Sequence, residues 1–138
     1  NFSVLKLLDT ITIPGIFVLA IGRIGNLFNS EIYGTITNVS WCFNFQNAEG
    51  CRHPYQIYAA LKRFLVFFLL IIINKKEHKQ GYIFFMGMFL LAIGRFLLDF
   101  LREDMRWMGL SLGQYFSMAI ILAAGIILLK YYRKSYKV

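Results

Sequence analysis

Acidic residues are scarce in this sequence: seven Asp and Glu stand against fifteen Lys and Arg, for a formal net charge of +8. Histidine, cysteine and proline are scarcer still, at two each. These shortages close off several classes of function. Cys42 and Cys51, even with His53, are too few and too loosely spaced for a zinc centre. No histidine pair lies within an apolar run, so haem ligation between membrane helices is excluded. No phosphate-binding glycine loop of the nucleotide type is present. The basic surplus lacks any helix-turn-helix or RNA-binding signature, and nucleic acid is excluded as a partner. No metal or other cofactor is expected. No basic segment precedes the first apolar run, so no signal peptide is visible. The first residue is Asn1 rather than Met, which leads us to expect a fragment or a processed piece of a longer chain. Tandem repeats and low-complexity tracts are also missing.

What the sequence has in abundance is apolar surface. Hydrophobic residues make up 58% and aromatics 17% of the chain, against about 45–50% apolar residues in an ordinary soluble domain. The charges are grouped. Lys75, Lys76 and Lys79 follow one apolar run, and Lys130, Arg133, Lys134 and Lys137 follow another. Clusters so placed read as cytoplasmic anchors against anionic lipid. Four spans are expected: Thr10–Phe28 with Pro14 near its start, Tyr55–Ile73 opened by Pro54, Tyr82–Arg102, and Ser111 to about Tyr132. Each is near the roughly 20 residues that cross a bilayer. The predicted fold is therefore an all-α polytopic membrane bundle forming one domain over residues 1–138. Four spans put both termini and the Lys75 loop on the cytoplasmic side, and the Asn29–Arg52 and Glu103–Leu110 loops outside. Ile36–Phe45 is β-branched and aromatic, so a short external strand or hairpin is expected there. His78 is expected to be solvated. Cys42 and Cys51 share the external loop, where they either form a disulfide or remain two thiols.

Polar groups inside the spans carry the functional signal. Ile21–Gly34 reads IGRIGNLFNSEIYG and packs Arg23, Asn26, Asn29 and Glu31 into nine positions at the end of an apolar run. A charge within a span costs roughly 2.5–3.5 kcal/mol on insertion scales. Arg23 and Asn26 share a helix face, while Gly22 and Gly25 thin the backbone beside them. Arg95, Asp99 and Arg102 recur at i, i+4 and i+7 of the third span and so share a face. That span holds twelve Leu, Ile and Phe residues. Together they are worth roughly −4 to −7 kcal/mol, about what Arg95 and Asp99 forfeit in lipid, so both should face the bundle interior or a wet cavity. Either Arg95 and Asp99 satisfy one another as an intrahelical pair, or the surplus arginines hold an anion. Guanidinium binds phosphate bidentately and stays charged, which suits a lipid phosphodiester. Lys62 and Arg63 lie about two turns into the second span and are placed to snorkel toward the near interface.

These residues together resemble the prolipoprotein diacylglyceryl transferases of bacteria. The match consists of Gly22-Arg23, Gly25-Asn26, Asn29, Glu31 and Gly34, then Arg52-His53-Pro54 with Gln56 and Tyr58. Arg95 and Arg102 follow, and then Leu112-Gly113-Gln114 with Ser117. The chain departs from that pattern at Asp99, where the family has Glu, and at Ala59, where a Glu is common. It also shows four spans where the family has about seven, and lacks the family's His-Gly-Gly segment, so it would be the C-terminal part of a longer enzyme. The resemblance implies transfer of diacylglyceryl from phosphatidylglycerol to the lipobox cysteine thiol of a prolipoprotein signal peptide, in the bacterial inner (plasma) membrane. It implies catalytic roles for Arg23, Asn26, Glu31, Arg95 and Asp99. Substrate-binding roles fall to Arg23, Asn26, Asn29, His53, Tyr58, Arg95, Arg102 and Gln114. Two rivals use the same residues: a non-catalytic protein that binds or transports anionic lipid, and a structural bundle with internal ion pairs.

Overall fold

The computed structural model describes residues 3–132; the expected basic residues Arg133, Lys134 and Lys137 lie outside the described residues. Among the described residues, four helices are long and apolar enough to cross a membrane: α1 (Val4–Phe28), α2 (Tyr55–Ile73), α3 (Tyr82–Leu98, extended by a 3-10 turn Asp99–Leu101) and α4 (Leu112–Ile127, continued by a π turn Leu128–Tyr132). The helical membrane architecture expected from the sequence is thus observed. α1 begins six residues before the expected Thr10, because Ser3 caps it by accepting from the Lys6 backbone N–H. Pro14 consequently lies well inside α1 rather than in a first turn.

The helices pack in sequence order. α1 lies chiefly on α2 and α4 chiefly on α3, with α2 and α3 joined between them. The core is small: Ile16, Val66 and Leu70, surrounded by half-buried Ile13, Phe67, Met86, Leu90 and Leu91. Many large apolar side chains point outward, including Val18, Leu65 and Leu122, each more than 60% exposed. Such a surface would drive aggregation in water but is the expected exterior of a bundle solvated by acyl chains.

At the end of the bundle that carries the Lys75–Lys79 loop, Gly81 precedes α3 with φ +90° and has no side chain to cap it. Asp9, in α1, supplies the cap from across the bundle. Its Oδ2 accepts from Gly81 N–H at 2.6 Å and its Oδ1 from Phe84 N–H at 2.9 Å. A carboxylate against a helix N-terminus is favoured by both hydrogen bonding and the helix dipole. His78 is not simply solvated. It is half-buried, with Nε2 2.6 Å from the Ile73 carbonyl at the end of α2 and its ring stacked on Tyr82 at 4.5 Å. An exposed carbonyl at a helix C-terminus attracts such a donor, a tertiary effect that loop composition does not reveal.

The opposite end carries a thin layer of two hairpins. β1 (Phe43–Asn44) pairs antiparallel with β2 (Cys51–Arg52), and β3 (Arg106–Trp107) with β4 (Leu110–Ser111). Met108 and Gly109 both have positive φ, 50° and 86°, as a two-residue hairpin turn of the primed type requires. Of the strand expected in Ile36–Phe45, only Phe43–Asn44 and a single bridge from Ile36 to Arg52 take part. Cys42 and Cys51 are bonded in the structure, with Cα atoms 5.5 Å apart. Arg52, buried in this layer, holds it together. It donates to the Glu49 and Gly34 carbonyls, pairs with Glu103 and lies 4.9 Å over the Tyr33 ring.

Gly34 is pinned by close approach. A Cβ there would lie 2.7 Å from both the His53 Cβ and the Leu101 carbonyl oxygen. Its backbone bridges to Arg102 and donates to the His53 carbonyl, so this one position ties the end of the signature stretch to α2 and α3.

Candidate functional site

The third helix ends on Asp99, which is 1% exposed and is reached from three other positions. Tyr55, at the start of α2, donates its hydroxyl to Oδ1 at 2.6 Å. Ser111, the N-cap of α4, donates to Oδ2 at 3.4 Å, and the Arg95 Nε stands 3.6 Å from the same oxygen. Arg95 is itself half exposed, so the ion pair adds little by Coulombic attraction alone. Its geometric role is clearer: one face of the guanidinium is held by the carboxylate and the rest is open. Gly113 makes this possible, since a Cβ there would fall 2.7 Å from Asp99 Oδ2 and 2.8 Å from Arg95 Nη2.

Gln114 is fully buried, and its amide serves the start of α4. The oxygen accepts from Ser111 N–H at 2.8 Å and the nitrogen donates to the Phe96 carbonyl at 3.1 Å. Together with the Ser111 hydroxyl on the Gln114 N–H at 3.1 Å this is a complete capping box. The residue expected to bind substrate therefore acts here by fixing the helix that carries Gly113.

Arg102 does not stay on the face of Arg95 and Asp99. The helix tightens to 3-10 geometry at Asp99, and Arg102 turns extended (φ −90°, ψ 139°), which breaks the seven-residue alignment. Its side chain pairs with Asp104 at 3.7 Å, although it remains within electrostatic reach of Tyr55.

Arg23 is half-buried near the C-terminal end of α1, and its Nη1 is buried without an acceptor. It lies within electrostatic reach of Tyr55, Lys62 and Arg63. Asn26 sits one turn on, half-buried, its carbonyl accepting from Glu31 N–H at 3.0 Å. Asn29 closes the helix and is exposed. The Glu31 side chain is also exposed; its carbonyl accepts at 2.6 Å from Gln56, which is fully buried. Gly22 and Gly25 have nothing within 4 Å of where a Cβ would stand, so the backbone beside Arg23 and Asn26 is bare. His53 and Tyr58 form a separate group beside the hairpin layer. His53 Nδ1 is 3.1 Å from the Tyr58 hydroxyl, which accepts from Trp41 Nε1 at 2.8 Å.

Lys62 corrects the sequence reading, whereas Arg63 reaches back one turn toward the start of α2, as expected. Instead of snorkelling outward, the Lys62 stem crosses α3 at Gly94, where a Cβ would run into it, and Nζ comes to 3.5 Å from the Leu91 carbonyl. Arg63 donates Nη1 to the Ala59 carbonyl at 3.0 Å and buries its Nε with no acceptor. With Arg95 they line a cavity of about 180 Å³ whose wall is completed by Leu19, Ala92, Phe116 and Ser117, so that all four helices contribute. Tyr55, Ala59, Lys62 and Arg63 stand at i, i+4, i+7 and i+8, the spacing of one helix face. That pattern was visible in the sequence; the glycine opposite it was not. The outcome is a group of four cations: Arg23, Arg63 and Arg95 all lie within electrostatic reach of Lys62, and of the four Arg95 is the one paired with a carboxylate, Asp99, among the described residues.

Fold and site thus define a multi-pass helical membrane protein whose interior holds a surplus of positive charge fit for an anion. The sequence model of prolipoprotein diacylglyceryl transferase matches residues 1–131, and the chain belongs to that family. Among curated relatives, it is 40% identical to the phosphatidylglycerol–prolipoprotein diacylglyceryl transferase of Finegoldia magna, over 99% of this chain and 55% of the relative. The enzymes of that name from Pasteurella multocida and Geobacter sulfurreducens are 40% and 36% identical, over 82% and 80% of this chain and 43% of each relative. The chain spans about half the length of the curated relatives it matches.

Proposed function

We propose that this chain forms the phosphate-handling part of a diacylglyceryl transferase acting in the bacterial inner membrane. The reaction moves diacylglyceryl from phosphatidylglycerol to the lipobox cysteine of a prolipoprotein. The names of its relatives support the substrates. The observation that carries the reading is the surplus of cations: Arg23, Arg63 and Arg95 lie within electrostatic reach of Lys62, and of these Arg95 is the one paired with a carboxylate, Asp99. The proposal treats residues 1–138 as one membrane domain, the C-terminal part of a longer enzyme, in keeping with the share of each relative that it covers. Both termini and the Lys75–Lys79 loop face the cytoplasm, as the basic clusters favour.

The chemistry suits the charges. A base, one of the carboxylates of this site or a group in the rest of the enzyme, takes the cysteine thiol proton, sulfur bonds to the glyceryl carbon, and the carbon–oxygen bond to phosphate breaks. Glycerol phosphate then leaves with one more negative charge than the diester carried. Cations fixed before reaction at the developing charge stabilise the transition state more than the ground state. In this reading Arg23 and Arg95 grip the phosphate, and Tyr55, Ser111 and Asp99 hold Arg95 in place. Asn26, Asn29 and Glu31 order the headgroup at the external end of α1. His53 and Tyr58 line the external approach, and Arg102 adds positive potential from the boundary.

The test is thioether formation on a lipobox peptide in phosphatidylglycerol vesicles, using the product of the complete gene. A peptide mass gain of one diacylglyceryl group, absent in phosphatidylcholine vesicles, is the expected result. No gain in either vesicle would remove the proposal.

A further inference from the structure

Lys62 and Arg63 are adjacent cations inside a span, and neither is matched by a carboxylate of its own. The salt bridges among the described residues use Arg52, Arg95 and Arg102. Lys62 reaches a backbone carbonyl only at 3.5 Å, and Arg63 leaves Nε buried with no acceptor. Arg23 leaves Nη1 buried in the same condition, near enough to repel both. Buried guanidinium N–H groups without acceptors are rare unless something else satisfies them. The space for that partner is present: the cavity of about 180 Å³, which Lys62 and Arg63 line together with Arg95 and Ser117. Among the described residues α1 and α4 scarcely meet, and Phe116 on the rim is 62% exposed, so the cavity is reachable from the side of the bundle.

We infer that Lys62 and Arg63 form an inner anion subsite, one helical turn deeper along α3 than the Arg95–Asp99 pair, that takes a phosphate oxyanion. The shared chemistry is a phosphate ester, carried either by an anionic lipid headgroup or by a free phosphomonoester such as glycerol phosphate. The positive charge there exceeds what one phosphodiester neutralises, so a doubly charged phosphomonoester fits it better than a zwitterionic headgroup does. This stands on the cavity and its charges, and holds whether or not the chain transfers a diacylglyceryl group.

The experiment uses the full chain in phosphatidylcholine nanodiscs. Phosphatidylglycerol retained is counted by native mass spectrometry, and glycerol 1-phosphate added from water is titrated by calorimetry. The double variant Lys62→Met/Arg63→Met is compared with Lys75→Met/Lys76→Met, which removes the same charge from exposed loop positions. At least a ten-fold weaker affinity for one of the two probes in the first variant only is expected, and the probe affected identifies the source. Equal affinities in the unaltered chain and the Lys62/Arg63 variant, or equal losses in both double variants, overturn the inference. Should the inner double variant fail to fold, as judged by helical circular dichroism, Arg63→Lys and Arg63→Gln replace it. The first is expected to keep affinity within about two-fold and the second to lose it; equal behaviour of the two overturns the inference. Transferase activity is read separately, so its absence leaves the binding result intact.

Discussion

Asp99 shows how much of this site depends on single atoms. Its two oxygens take the Tyr55 hydroxyl, the Ser111 hydroxyl and the Arg95 guanidinium. Tyr55→Phe leaves Oδ1 without that 2.6 Å donor in a fully buried place. The expected cost is about 1–3 kcal/mol, measured as unfolding in a detergent of fixed composition. Gly113→Ala tests position rather than bonding. A methyl group would stand within 2.8 Å of both Asp99 Oδ2 and Arg95 Nη2, so the pair must shift. Displacement of a catalytic group by about 1 Å can cost on the order of 100-fold in rate, so turnover should fall about 10- to 100-fold. A variant with unchanged turnover would mean that Arg95 is not held where the proposal needs it.

Elements were legible in the sequence wherever hydropathy alone decides them. The four spans and the loops between them follow from apolar run length and Pro/Gly punctuation. What could not be read were contacts between distant elements. Nothing around Asp9 announces that it caps α3, seventy residues on, because the missing partner is a bare glycine at position 81. The same holds for Lys62, whose direction is set by Gly94 on another helix, and for Arg102, turned away by a 3-10 turn. Arg23, Arg95 and Asp99 were legible because charge inside an apolar run is costly enough to need a reason. Two outcomes belong to this scale. Asp9→Ala should cost about 0.5–2 kcal/mol, as loss of a cap does, and should loosen the start of α3 in amide exchange before the other helices. Opening the Cys42–Cys51 bond by substituting both with Ser should cost roughly 2–3 kcal/mol, the amount such a short loop warrants, and should raise exchange in β1 and β2 while leaving α3 unchanged.

At the scale of the whole molecule, the bundle places an apolar exterior against lipid and a basic loop at one end. At the other end it carries a cross-braced cap of hairpins, fastened by Arg52 and Gly34. Between them lies an interior with more positive charge than its own carboxylates neutralise. Such an interior is costly as structure and useful as a site, since an anion supplies the missing charge at the moment it binds. The central claim is that the phosphate of the lipid substrate is that anion and that Arg23 grips it. The most direct measurement is the rate of diacylglyceryl transfer to a lipobox peptide by the complete gene product carrying Arg23→Ala, beside the unaltered protein in the same phosphatidylglycerol vesicles. The account predicts loss of activity by at least about 100-fold, as removal of one charge-stabilising group costs elsewhere, with the helical content unchanged. Full activity in the Arg23→Ala protein would contradict it.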